Sequence, residues 1–564
     1  MPAPEPGAAD LHYVKEVVHV KQPDGTVAQF PNRRFIKNFP RHYWVTRKGF
    51  QDHQDKKEWE EVHKLQRYEC TQSNLINHIA GVTKNFKHRG QLKRLADSPY
   101  LYGADILSTA LIKRGYQDKY KDLLTPASVA CFDTESDVVK GTSEIIIASL
   151  SFKDKIICAV QKSFVEGYAN VVERLHEMQE RYLGERMKDN PATVEFVLVD
   201  SEIDVLRVCF GKAHEWKPDF VAIWNIEHDM NRMLEACSRA GVRPADIFAD
   251  PSIPPHARTF NYIVGQKQKR TASGKFSPIP PSMQWHVVDC PASFYFIDKM
   301  CAYRHLRIGE AEEPSYGLDA ILTKHKKGGK LEFDASGNLS GIDLHIFMQS
   351  QHPLEYIIYC NWDSRSMEEL NNDTHDLSLT LPMFSGCSDY ANFKSQPRRR
   401  VDDLHFVCLQ EGLVIGTTSS DMKDEYDEMT LDLEDWIVTL PAHLVADNGL
   451  RIIKEIPSLR TNIRVHVGDL DVSASYPNGG ACFNISKGTT EREIHDVDGI
   501  EETIFRAQGI NLSGGASNAV EFCTTMFKMP TITSMVAEFK QEIGFVEPEV
   551  PYYDKEEYRH YEEL

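Results

Sequence analysis

A chain of 564 residues is too long for one hydrophobic core, so roughly two to four domains are expected. Its hydrophobic content of 41% and charged content of 26% are ordinary for a globular protein. The net charge of −19 argues against a uniformly basic nucleic-acid binder, while leaving local basic tracks open.

No run of about 18 apolar residues suggests a transmembrane helix, and no membrane association is expected. The first residues, MPAPEPGAADLHYV, lack the basic-then-apolar pattern of a secretory signal. The 12 cysteines are scattered without a CxxC pair, which disfavours a zinc ribbon and suits a reducing compartment.

Residues 1 to about 125 are mixed and aromatic-rich, and Ser98 to Gly103 looks like a loop entering a strand. From Val129 short apolar strands follow one another: VACFDTES, EIIIASLSF and KIICAVQ, with turn signals between them, as in a meander. Residues 168–183 have helical spacing. The strand VEFVLVD, a helix over 202–213 and the strand 218–224 come next. The order describes a mixed α/β domain and suits a ribonuclease H-like sheet. Pro-rich and basic breaks fall at 251–255 and 268–282. Helices are expected at 291–306, 315–326 and 353–372, then a loop-rich stretch over 385–402, then mostly strands up to Tyr476. The tail, EPEVPYYDKEEYRHYEEL, reads as a flexible end or a docking peptide. Two basic tracks, Lys324 to Lys330 (KHKKGGK) and Arg398-Arg399-Arg400, are equally readable as solvated faces.

The chemistry concentrates in four acids. Asp133 and Glu135 stand two apart on a strand and therefore point the same way. Two like charges held together are commonly kept ionised by a divalent cation. The second element is Asn225-Ile226-Glu227-His228-Asp229, between an apolar strand and a helix, where an acid is also explained by the helix dipole. The third is Tyr359-Cys360-Asn361-Trp362-Asp363 on a helix, where the i, i+4 spacing puts Tyr359 and Asp363 on one face. Each is weak alone, but four acids over a long span suggest a two-metal phosphoryl-transfer site.

In this order the three segments resemble the exonuclease motifs of DnaQ-like 3′–5′ exonucleases, and most nearly those of proofreading family B DNA polymerases. Ser315-Tyr316-Gly317-Leu318-Asp319-Ala320 looks like that family's Ser-x-x-Leu-Asp/Glu segment, and KHKKGGKLEF like a lysine-bearing loop of its phage members. One departure is that Asn225 and Asp229 are a residue closer than is usual in the phage enzymes, with His228 in the aromatic position. The resemblance implies that Asp133, Glu135, Asp229 and Asp363 hold two Mg²⁺ or Mn²⁺ ions. It further implies that Tyr359 orients the attacking water or the scissile phosphate, that Asn225 contacts the DNA strand, and that a lysine such as Lys330 offsets charge on the phosphate.

A second segment, Val467 to Pro477 (VGDLDVSASYP), resembles the first polymerase motif of family B, with Ser475 where leucine is usual. It implies a palm metal ligand at Asp471, a sugar-stacking aromatic at Tyr476, and phosphate contacts from Ser473, Ala474 and Ser475. The segment INLSGG at 510–515 resembles what phage polymerases carry after that motif. The fingers motif Lys-x3-Asn-Ser-x-Tyr-Gly and the palm motif Asp-Thr-Asp do not occur.

The resemblance thus divides the chain into an N-terminal polymerase domain (1–125), a DnaQ-like exonuclease domain (126–372), and a linker with half a palm and an acidic tail (373–564). It implies a proofreading subunit of a split phage-type polymerase, working in the cytoplasm of an infected bacterial host. The expected partners are primer–template DNA, single-stranded DNA 3′ ends and a separate chain carrying fingers and thumb, with one more metal ion shared at the palm and a sliding clamp as a further candidate. The alternatives are a stand-alone single-strand exonuclease, a non-catalytic DNA-binding scaffold, or a piece of a longer polymerase.

Overall fold

The computed structural model describes residues 9–418 apart from 88–89, 122, 124, 271–275, 328, 330, 332, 334–338 and 340; beyond 418 it describes only 481–482 and 541. The chain separates into two units, Met1–Met422 and Lys423–Leu564, and the elements below belong to the first.

Strands β1 (Leu11–Lys21) and β2 (Val27–Lys37) form an antiparallel hairpin. Gly25 supplies the positive φ of its turn. Next come β3 (Arg41–Thr46), β4 (Trp59–Glu61), β5 (Leu65–Cys70), α1 (Leu75–Thr83), α2 (Leu92–Leu95), β6 (Leu101–Tyr102) and α3 (Ser108–Lys119). Sheet β5-β3-β6 packs on α1 through Tyr43, Val45, Leu75, Ile79 and Leu101.

The centre of the unit is a six-stranded mixed sheet, ordered β10-β9-β8-β7-β11-β16. Its strands are β7 (Val129–Ser136), β8 (Ile145–Phe152), β9 (Lys155–Gln161), β10 (Thr193–Val199), β11 (Phe220–Ile223) and β16 (Tyr295–Asp298). The β7-β8-β9 meander is antiparallel, while β10, β11 and β16 join in parallel. Parallel neighbours need crossover segments. Helix α4 (Val171–Leu183) links β9 to β10, and α5 (Glu202–Trp216) links β10 to β11. From β11 to β16 run α6 (Ile226–Arg239), α7 (Pro244–Phe248) and the short strands β12 (Asn261–Ile263), β13 (Gln268–Arg270), β14 (Phe276–Pro278) and β15 (Val287–Asp289).

Side-chain alternation sends the two halves of β7 to opposite faces. Ala130 and Phe132 pack with Phe210 of α5 and Met230 of α6. Val129 and Cys131 pack on the other face with α8 (Lys299–Leu306), α9 (Leu318–Lys324) and residues Met367 and Leu370 of α11 (Pro353–Thr374). α11 follows α10 (Gly341–Gln351) and is buried along nearly its whole length. The remaining elements are α12 (Leu381–Phe384), α13 (Gln396–Gln410) and β17 (Leu413–Ile415).

Three expectations need correction. The stretch 291–306 is not one helix: it is β16 followed by α8. A buried strand reads as a continuous apolar run and cannot be told from a helix by periodicity. The stretch expected to be loop-rich, 385–402, contains the start of α13, whose first turn carries Pro397, a position where proline's missing N–H is harmless. The expected run of strands up to Tyr476 lies outside the described residues beyond 418; within them strands do not take over after 402, because α13 runs to Gln410 and β17 is the strand found from there to 418. That strand pairs with β4, and its Val414 packs on Trp44 and Tyr102, so contacts among the described residues run across position 373. Asp471, Ser473, Ala474, Ser475, Tyr476, the INLSGG segment and the acidic tail lie outside the described residues, as does Lys330.

Candidate metal centre

Asp133 and Glu135 leave β7 on the face covered by α11. α11 passes over that face, with Cys360 Sγ 3.7 Å from Asp133 Oδ2. One turn later it presents Asp363. One carboxylate oxygen from each of Asp133, Glu135 and Asp363 lies within 4.8 Å of the other two. Glu135 and Asp363 are buried, and Asp133 is half-buried. The β7–β8 register shifts between Glu135 and Ser136, a bulge of the kind found beside functional sites.

Asp229 is not one of these three. It stands on the first turn of α6, buried, and its Oδ1 accepts hydrogen bonds from Thr134 N at 3.1 Å and Thr134 Oγ1 at 2.6 Å. Thr134 lies between Asp133 and Glu135 in β7, so this bond pins Asp229 beside the strand that carries the other acids. Burial pushes the Asp229 carboxyl up to about 6, against the opposing pull of the Thr134 hydrogen bonds and the His228 charge.

Two features place the start of α6. Asn225 adopts the left-handed conformation, φ 61° and ψ 63°, which asparagine tolerates better than most residues. Ile226 N then donates to Asp298 Oδ2 at 2.9 Å, while Cys301 N donates to Asp298 Oδ1 at 2.8 Å. One carboxylate thus ties the first turns of α6 and α8 together. Burial raises Asp298 to about 6 despite both bonds. Asn225 therefore has a backbone role that its expected DNA contact did not include. His228 is exposed.

Tyr359 is 5% exposed and its ring stacks on Tyr356, with centroids 5.8 Å apart and planes 7° apart. The Ser315–Ala320 segment comes to the second motif through Trp224 Nε1, which donates to Tyr316 O at 3.1 Å. Gly329, next to Lys330, accepts from Trp362 Nε1 at 2.9 Å. Its φ is +67°, and an added Cβ would meet Asp319 Oδ1 at 2.8 Å, so glycine is favoured there. The lysine-bearing segment is thereby anchored at the residue preceding Asp363. The basic tracks are partly engaged within the protein. Lys324 pairs with Glu313 and Lys327 with Asp373, Arg398 binds Asp105 O and Asp402, and Arg399 lies over the Phe393 ring.

The donor set fits a hard divalent cation. All three groups offer carboxylate oxygens, the ligands such ions prefer. Ligands on opposite sides of one cation are separated by at most about twice a metal–oxygen bond, roughly 4–5 Å for Mg²⁺ through Ca²⁺, and the 4.8 Å bound on the three acids lies at the upper end of that range. Among the described residues no helix is long and apolar enough to cross a membrane.

Sequence reasoning missed Thr134, Asp298, His345 and Tyr356. Tyr356 had a legible signal: it lies seven residues before Asp363, two helical turns away on the same face. The other three depend on which elements fold together. Compared with known proteins, the chain matches no family model and no curated protein.

Proposed function

We propose that this chain is a divalent-metal-dependent 3′–5′ exonuclease built on a ribonuclease H-like sheet of the DnaQ type, and that it serves as the proofreading part of a split phage-type family B DNA polymerase. The observation that carries the nuclease reading is the convergence of Asp133, Glu135 and Asp363 within 4.8 Å. They come from a central strand and a helix far apart in sequence, and Asp229 is pinned alongside through Thr134.

Asp133, Glu135 and Asp363 would hold the ions, with Asp229 completing the set from α6. Bound there, two divalent cations supply an activated water and neutralise charge at the leaving 3′ oxygen. Tyr359 positions the scissile phosphate from the helical turn before Asp363. A lysine of the segment anchored by Gly329, such as Lys330, would offset charge on the phosphate. Substrate choice needs no base code: a frayed 3′ end threads into the site, and mismatched ends melt more readily.

The half-palm role rests on the Asp471 to Tyr476 motif in the sequence. It calls for a partner chain with fingers and thumb, and for a shared palm metal. The test of the nuclease is degradation of a 5′-labelled single-stranded oligonucleotide by the full chain, with Mg²⁺ and with EDTA. A ladder shortening from the 3′ end, lost in Asp133→Ala/Glu135→Ala, supports the reading. Equal degradation by that folded double variant would sink it.

A further inference from the structure

Glu135 is met from the side of α10 by a directional chain of hydrogen bonds. Gln349 is fixed by the backbone at the end of β7: Val138 N donates to its Oε1 at 3.0 Å, and its Nε2 donates to Ser136 O at 2.8 Å. That orientation turns an amide N–H towards the Tyr356 hydroxyl, 3.4 Å away. His345 Nδ1 lies 2.6 Å from the same hydroxyl. The phenol has one proton, and Glu135 Oε2 on its far side accepts it. An ionised carboxylate can only accept. With its own proton committed to Glu135, the Tyr356 oxygen accepts from Gln349, and His345 bonds to it through an Nδ1–H. Tyr356 is 1% exposed, so water does not compete for these positions.

We propose that Tyr356 is a positioning residue for the metal centre. It engages one oxygen of Glu135 and fixes the carboxylate's rotation at the metal centre. Through its ring it also sets Tyr359, which stacks on it. The segment that carries Glu135 thus sets the orientation of its own hydrogen-bond donor, by way of Gln349. Groups that orient a metal-ligating carboxylate contribute about 10- to 100-fold in metal affinity or activity. This inference rests on the reading of the acids as a metal centre.

The test uses the full chain, with Mn²⁺ binding followed by electron paramagnetic resonance and cleavage of a single-stranded oligonucleotide under the same conditions. Tyr356→Phe keeps the ring stack and removes only the hydroxyl. It is expected to weaken Mn²⁺ binding and lower kcat, each by about 10- to 100-fold, with KM for the oligonucleotide unchanged. Gln349→Leu leaves the hydroxyl in place but frees its orientation, and is expected to move both quantities the same way by less. Should Tyr356→Phe fail to fold, Gln349→Leu decides. Wild-type Mn²⁺ affinity and kcat in the folded variants would overturn the positioning role and leave the nuclease standing. Absence of Mn²⁺ binding by the wild-type chain would overturn both.

Discussion

Replacing Asp363 by asparagine separates a metal centre from an ordinary buried polar cluster. Its oxygen lies within 4.8 Å of oxygens from both Asp133 and Glu135. At an effective dielectric of about 20, each ionised pair at that distance repels by about 3.5 kcal/mol, so Asp363 takes part in about 7 kcal/mol of repulsion when all three are charged. Without metal the cluster can instead hold a proton. At neutral pH, about three units above a carboxylate's ordinary pKa, that caps the penalty near 4 kcal/mol. After the loss of local hydrogen bonding, about 1 kcal/mol, Asp363→Asn is expected to stabilise the metal-free protein by about 1–3 kcal/mol. The assay is thermal unfolding in EDTA and in saturating MgCl₂. In EDTA the variant is expected to melt a few degrees above wild type. Mg²⁺ raises the wild-type midpoint, because an ion bound only to the folded state stabilises it, and leaves the variant almost unmoved. A variant that melts lower than wild type in EDTA, yet keeps the full Mg²⁺ shift, would mean that Asp363 holds no cation.

Further outcomes follow from the same structure. Asp133→Ala or Asp363→Ala should abolish 3′–5′ cleavage without unfolding the protein, checked by oligonucleotide gels beside circular dichroism. Arg365 is fully buried, holds α11 to the β8–β9 turn through Lys153 O at 2.6 Å, and pairs with Glu368 of the same helix at 2.9 Å. Arg365→Met leaves Glu368 uncompensated and should destabilise by about 3–5 kcal/mol, read by urea unfolding. Asp298 has a folded pKa of about 6 against an ordinary 3.8, so between these values the folded state binds more protons than the unfolded one. Its contribution to stability is fully present below 3.8 and is lost as pH rises through about 6. Asp298→Asn should flatten that part of the stability–pH curve while lowering stability at low pH, because one of the two backbone N–H groups loses its acceptor.

Much of this site was legible because its parts are local. The meander of β7, β8 and β9 shows apolar strands broken by turns, and Asp133 and Glu135 share a face by strand geometry alone. Helix α11 was legible too, since Pro353 opens it and Tyr359 and Asp363 sit one turn apart. What stayed hidden is what the fold assembles from distant pieces. Asp229 meets the strand of the other acids through Thr134, whose backbone N–H and hydroxyl both donate to it. Asp298 caps α8 and also fixes α6, 72 residues away in sequence, and it sits at the end of a strand first read as helix. Tyr356 becomes a partner of Glu135 only where α11 packs over β7. The triple arginine reads equally as a basic track or a solvated face, and α13 turns Arg398 towards Asp105 and Asp402.

The most direct measurement is anomalous diffraction from crystals of the full chain soaked with Mn²⁺ and a short single-stranded oligonucleotide. Mn²⁺ peaks are expected at Asp133, Glu135 and Asp363, with Asp229 joining the set and the oligonucleotide's 3′ end lying against Tyr359. Mn²⁺ bound only at other acids, with these four left bare beside a bound 3′ end, would contradict it.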